Sequence, residues 1–160
     1  MNTPVTTRRL MLSRLAALGL ASWGIADLAS ARAPDVAIEV WKDPNCGCCK
    51  DWISHLQSSG FKVTVNDTGN SAARARLGLP AKFGSCHTAL VQGYVIEGHV
   101  PAADIRRLLK DKPTATGLAV PGMPVGSPGM DGPEYGGRRD RYDLVLVLKN
   151  GDGRVFSSYN

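Results

Sequence analysis

The 160-residue chain has no domain-sized repeat, no apolar run that would cross a bilayer comfortably and, beyond its first 33 residues, almost no net charge. Each lack excludes something. The run from Leu15 through Leu20 to Ile25 and Leu28 is short and rich in Ala and Gly. Spanning about 30 Å of hydrocarbon takes roughly 20 strongly apolar residues, so a membrane anchor is disfavoured. Residues 1–33 carry Arg8, Arg9, Arg14 and Arg32 against Asp27 alone, leaving 15 of 19 basic and 13 of 14 acidic residues, a net of +2. The basic character therefore belongs to the N-terminal segment and makes no case for nucleic acid as a partner. The remaining length fits one small domain with one core.

What the N-terminal segment does have is a targeting pattern. A basic start precedes the apolar run, and Ala29-Ser30-Ala31 and Ala31-Arg32-Ala33 both fit the A-x-A form of a cleavage site. Pro34 sits poorly just after a cut, which favours cleavage after Ala31. Thr7-Arg8-Arg9-Leu10-Met11-Leu12 also resembles a twin-arginine export signal. The expectation is a signal peptide over 1–33, a working domain over 34–160, a periplasmic or equivalent exported location, and no stable membrane insertion after cleavage.

The domain reads as α/β. Val36 to Trp41 is β-branched and partly alternating, and Lys42-Asp43-Pro44-Asn45 breaks it. From Cys48 to Ser59, Cys49, Trp52, Ile53 and Leu56 recur at helical spacing, and Gly60 ends the helix. Phe61 to Val65 alternates as a second strand. Asn70 can cap a short helix through Leu77. Thr88–Val91 and Tyr94–Glu97 form a hairpin across Gln92-Gly93, and Pro101 opens a helix with Ala102, Ile105, Leu108 and Leu109 on one face. Residues 113–141 differ in kind: twelve of these 29 positions are Gly or Pro, and Pro113 to Met130 holds no charge. A connection this long is usually functional or disordered. Tyr142–Leu148 resumes as a strand, and Arg154-Val155-Phe156 returns as its hairpin partner. A strand–helix–strand start, a hairpin and a covering helix resemble the thioredoxin arrangement. The expected fold is a central mixed sheet flanked by helices, with an extra C-terminal β-hairpin and a Gly/Pro/Met loop.

Cysteine is scarce, four residues in two places, and its placement carries the chemistry. Cys46-Gly47-Cys48-Cys49 stands where a strand hands over to a helix. Backbone N–H groups at a helix start are unpaired and the local dipole favours negative charge. A thiol there ionises more easily than at its free pKa of about 8.5, and the thiolate is both nucleophile and metal ligand. Cys46 and Cys49 form C-x-x-C, and Cys46 to Lys50 resembles the thioredoxin run C-G-P-C-K with Cys48 in place of Pro. A third thiol can capture a mixed disulfide, which ill suits a two-thiol switch and well suits a metal. If the thioredoxin resemblance holds, the loop bearing Cys86 lies against the start of the first helix, and four sulfurs converge with His87 beside them. Soft ligands select copper(I), zinc or iron–sulfur clusters. Zinc usually draws two C-x-x-C pairs into a tetrahedron, whereas crowded sulfurs with Met123 and Met130 as added thioethers favour bridged copper(I).

Cys46-Gly47-Cys48-Cys49, Gly84-Ser85-Cys86-His87-Thr88, Glu97-Gly98-His99-Val100-Pro101 and the Pro-Gly-Met units ending at Met123 and Met130 together resemble a family of exported, thioredoxin-like metal-binding proteins. That family was long described as a domain of unknown function and is associated with bacterial copper resistance. The resemblance implies a cysteine-bridged, multinuclear copper(I) site at Cys46, Cys48, Cys49 and Cys86. It further implies a role in copper or silver tolerance, including redox cycling of the bound copper; the expected partner is another exported copper carrier or an efflux component.

Blander readings stand beside these. Two structural disulfides would fit an exported chain, but one would have to close a loop of two to four residues, which stabilises little. His87 is open between ligand and neighbour. His99 reads as the polar end of a strand rather than a ligand, and His55 as solvated. Met123 and Met130 could fill gaps in the loop. Trp41 and Trp52 read as core, and Arg138, Arg139 and Arg141 as a solvated face balanced by Asp140 and Asp143. The main alternative is an enzyme, a thiol–disulfide oxidoreductase in which Cys46 attacks and Cys49 resolves. The other is a disulfide-stabilised interaction domain.

Overall fold

The structure, a computed structural model, describes residues 35–160; the expected signal segment lies outside the described residues. Seven strands form one sheet in the order β2-β1-β3-β4-β5-β6-β7. They are β1 Val36–Lys42, β2 Phe61–Asn66, β3 His87–Val91, β4 Tyr94–Glu97, β5 Gly117–Ala119, β6 Tyr142–Val147 and β7 Gly153–Tyr159. The helices are α1 Gly47–Ser58, α2 Ser71–Arg76 and α3 Ala102–Asp111. β1 runs parallel to β2 and β4 parallel to β5; the other four pairings are antiparallel, so the fold is mixed α/β with a mostly antiparallel sheet. Among the described residues, no helix is long and apolar enough to cross a membrane.

The helical stripe read from the sequence is the buried one. Cys49, Trp52, Ile53 and Leu56 are the buried residues of α1. Trp52, Ile53 and Leu56 join Ile38, Val40, Ala89, Ile96, Ile105, Leu108, Leu118, Leu144 and Leu146 in the main core. The Gln92-Gly93 hairpin forms with both residues at positive φ, 46° and 85°, the twist a two-residue turn needs. The C-terminal hairpin is present as β6 and β7.

Three expectations need correction. The Gly/Pro-rich segment is not a loop throughout, because Gly117-Leu118-Ala119 pairs on both sides as β5 in the body of the sheet. The three residues lack β-branched alternation, and Gly117 is required there because a Cβ would run into the backbone of Val95. Second, Asn70 stands at the N-cap of α2 but its side chain makes no capping hydrogen bond, whereas β2 forms as expected.

The third correction is His55, which is half-buried rather than solvated. Its Nε2 accepts the backbone N–H of Ala102 at 3.1 Å, covering an otherwise unpaired donor at the start of α3. Burial holds its pKa below the ordinary 6.5, with Asp131 opposing. A depressed imidazole binds its proton less readily folded than unfolded. Its stabilising share is therefore complete above pH 6.5 and shrinks as pH falls from there toward the lower folded value. Thermal midpoints measured from pH 7.5 to 5 should fall less steeply in His55→Gln than in the native chain; equal slopes would remove His55 from this role.

Candidate metal centre

Strand register explains why two distant stretches of chain meet. β1 and β3 are antiparallel with Lys42 opposite His87, so the residue before β3, Cys86, reaches the end of β1 where Cys46 follows. β4 pairs Glu97 with Thr88 of β3 and with Ala119 of β5, which brings His99 and then Met123 past the same end of the sheet. The centre therefore lies off the C-terminal ends of β1, β4 and β5 and the start of α1.

Cys46 is the N-cap residue of α1 in extended conformation; no side chain caps that helix and no acidic residue stands in its first turn. The sulfur atoms of Cys46, Cys48, Cys49 and Cys86 all lie within 4.8 Å of one another, the convergence expected from the sequence. Cys46 and Cys49 are joined as a disulfide, while Cys48 and Cys86 are free thiols. The two-disulfide reading therefore fails, since only one pair is closed. Cys48 Sγ is 3.5 Å from Cys46 Sγ and 4.0 Å from Met123 Sδ. Cys49 is fully buried, its sulfur 3.7 Å from the carbonyl oxygen of Cys86.

Histidine is more prominent than expected. His87 and His99 are both fully buried. His87 Nδ1 and His99 Nε2 each stand 3.3 Å from Cys86 Sγ, so Cys86, His87 and His99 form a second compact group of possible ligands sharing that sulfur. Their far nitrogens are held by backbone carbonyls: His87 Nε2 donates to Gly98 O at 2.8 Å and His99 Nδ1 to Pro128 O at 2.8 Å. That pattern fixes the tautomers and leaves the nitrogens facing Cys86 free to ligate. Burial drives His87 down to about 3, with the charges of His99 and Lys42 adding to it, and burial likewise lowers His99. Both rings are neutral at pH 7, the state a metal ligand requires. The Cys86 thiol moves the other way, pushed up to about 12 by burial and then by Cys48, so metal must displace its proton.

The two methionines part company. Met123 is half-exposed beside Cys48, while the Met130 sulfur takes the hydroxyl hydrogen bond of Tyr135 at 3.2 Å. The loop carrying both is pressed onto α1, for a Cβ at Gly129 would come within 2.7 Å of Trp52 N and Cys48 O, and its φ is +83°. Trp52 is core, as expected, and also floors the site: its ring packs on His87 with centroids 4.2 Å apart and planes tilted by 32°, and its Nε1 donates to Val100 O at 2.9 Å. Sequence reasoning missed His99 because a lone histidine beside Val100-Pro101 carries no local signal. Only the pairing of β3 with β4 places it beside Cys86.

Fold and site thus define a mixed α/β protein whose cysteine–histidine cluster could hold metal. A family described as "Protein of unknown function, DUF411" matches residues 83–130, the stretch holding Cys86, His87, His99, Met123 and Met130. No curated protein matches the chain. Two solved structures do: a copper resistance protein CopG, form 2, is 50% identical, covers 79% of this chain and 99% of its own, with a TM-score of 0.71. Form 1 is also 50% identical, covering 78% and 98%, with a TM-score of 0.72. The chain belongs to the CopG family of copper resistance proteins.

Proposed function

We propose that the chain is an exported protein of copper tolerance that takes copper(I) as cargo on the thiols of Cys46, Cys48, Cys49 and Cys86. One observation carries this: four sulfurs from two separated segments lie within 4.8 Å of one another. Thiolates select copper(I), and sulfurs so crowded suit bridging between several ions. His87 and His99 widen the donor set around Cys86, and Met123 stands nearest the solvent as an entry ligand. The order of β1, α1, β2, the β3–β4 hairpin and α3 supports reading the frame as thioredoxin-like. A periplasmic location, silver as a second cargo, and transfer to another exported carrier or an efflux component complete the proposal.

Loading requires reduction of the Cys46–Cys49 disulfide by an external dithiol, which supplies two electrons and two protons, is itself oxidised to a disulfide and leaves two protein thiols. Reduced protein titrated anaerobically should take up several equivalents of copper(I), with thiolate-to-copper absorption rising in step. Oxidised protein should take up markedly fewer. Equal uptake in both states, or none in the reduced state, sinks the proposal.

The disulfide favours one competing reading, a thiol–disulfide oxidoreductase using Cys46 and Cys49. In that reading the reduced Cys46 thiolate attacks a substrate disulfide and expels one substrate thiolate; Cys49 then resolves the mixed disulfide, expelling the second substrate thiolate and closing Cys46–Cys49. Catalytic reduction of a disulfide substrate that survives Cys48→Ser would favour it.

A further inference from the structure

One ion pair near the centre has no part in the donor set. Glu97 is fully buried at the end of β4, and its Oε2 accepts the Thr88 hydroxyl at 2.6 Å. Its Oε1 accepts Arg74 Nε at 2.9 Å and the backbone N–H of Ser85 at 2.6 Å. Arg74 Nη2 lies 2.9 Å from the same carboxylate oxygen and donates to Ser85 O at 2.6 Å. One guanidinium–carboxylate pair therefore grips both backbone groups of the residue preceding Cys86. Asn70, expected to cap α2, instead turns its Nδ2 to Ser85 O at 3.0 Å and Thr88 Oγ at 3.2 Å, adding to the grip. Ser85 Oγ in turn donates to Gly122 O at 2.6 Å, tying in the residue before Met123. Gly98 makes room: its φ is +70°, and a Cβ there would meet Ser85 Oγ at 2.8 Å.

We propose that Arg74 and Glu97 are positioning residues of the metal centre, a clamp that sets Cys86 against the other three sulfurs and, through Ser85, sets the approach of Met123. The proposal rests on the reading that Cys86 is a ligand. A buried ion pair is a poor device for stability alone, because desolvation offsets much of its attraction and an apolar pair of similar volume often serves as well. A device that holds both the N–H and the C=O of the residue before a ligand supplies aim. Arg74, Ser85, Cys86 and Met123 also line one open cleft of about 500 Å³, so the clamp builds the wall through which cargo would reach Cys86. Only a forked guanidinium can hold Glu97 through Nε and Ser85 O through Nη2 together; lysine offers one point charge.

The test uses full-length reduced protein, copper(I) under competition from a chromophoric chelator, and variants checked for folding by circular dichroism and thermal midpoint. Arg74→Lys should weaken copper(I) binding about 10- to 100-fold, the usual cost of losing an outer partner of a ligand, and should change the thiolate-to-copper absorption band. The double variant Arg74→Met with Glu97→Leu removes both charges together, so it keeps the fold testable and should show the same loss. Folded variants with native affinity and a native band would overturn the clamp. Cys86→Ser, run alongside, separates the two ideas. If it binds copper as the native chain does, the reading of Cys86 as ligand fails; if it loses copper while the clamp variants do not, only the clamp fails.

Discussion

Cys48→Ser should damage copper(I) binding in the reduced protein as severely as Cys46→Ser, by more than the roughly 10- to 100-fold that loss of an outer partner costs. The argument is geometric. Cys48 is a free thiol within the four-sulfur group, 3.5 Å from Cys46 Sγ and 4.0 Å from Met123 Sδ. A two-thiol switch needs only Cys46 and Cys49, the pair already joined in the structure, and the third thiol is then an impediment that serine would remove. The two accounts thus differ in sign at one atom: binding predicts collapse of copper affinity, and disulfide exchange predicts retained or improved turnover. Anaerobic chelator competition on Cys46→Ser and Cys48→Ser side by side decides it. Native affinity in Cys48→Ser would end the bridging account.

The features readable from sequence were those that repeat at short range. The α1 stripe of Cys49, Trp52, Ile53 and Leu56, the turn at Gln92-Gly93 and the C-terminal hairpin all announce themselves within a dozen residues. The convergence of Cys86 with Cys46, Cys48 and Cys49 was readable only through the resemblance of strand order, since nothing local to Cys86 names its partner. What stayed hidden depends on pairings across the sheet. His99 becomes a neighbour of Cys86 only when Thr88 sits opposite Glu97, and β5 exists only because β4 and β6 both need a partner along Gly117-Leu118-Ala119. Asn70 and His55 failed for a related reason. Each fits a local role by residue type, a cap and a solvated polar group, yet each is drawn by a backbone group from elsewhere in the chain.

Trp52→Ala should cost about 3–5 kcal/mol of stability, a large share of the 5–15 kcal/mol of an ordinary domain. Trp52 is fully buried among strand and helix side chains, so truncation leaves a cavity in the main core. A thermal midpoint lower by roughly 10–20 °C is the expected reading for a domain of this size. The ring does more than fill space, because it packs at a tilt on His87 and its N–H holds Val100 O, directly after His99. Trp52→Phe separates these parts. It keeps an aromatic face toward His87 but leaves a buried carbonyl without its donor, at about 1–3 kcal/mol. If the indole N–H also holds the backbone beside His99, then Trp52→Phe, compared while fully folded, should weaken copper(I) binding as well as stability. A variant that loses stability yet binds copper as tightly as the native chain would confine Trp52 to packing, and would place the aim of His99 on the Pro128 carbonyl alone.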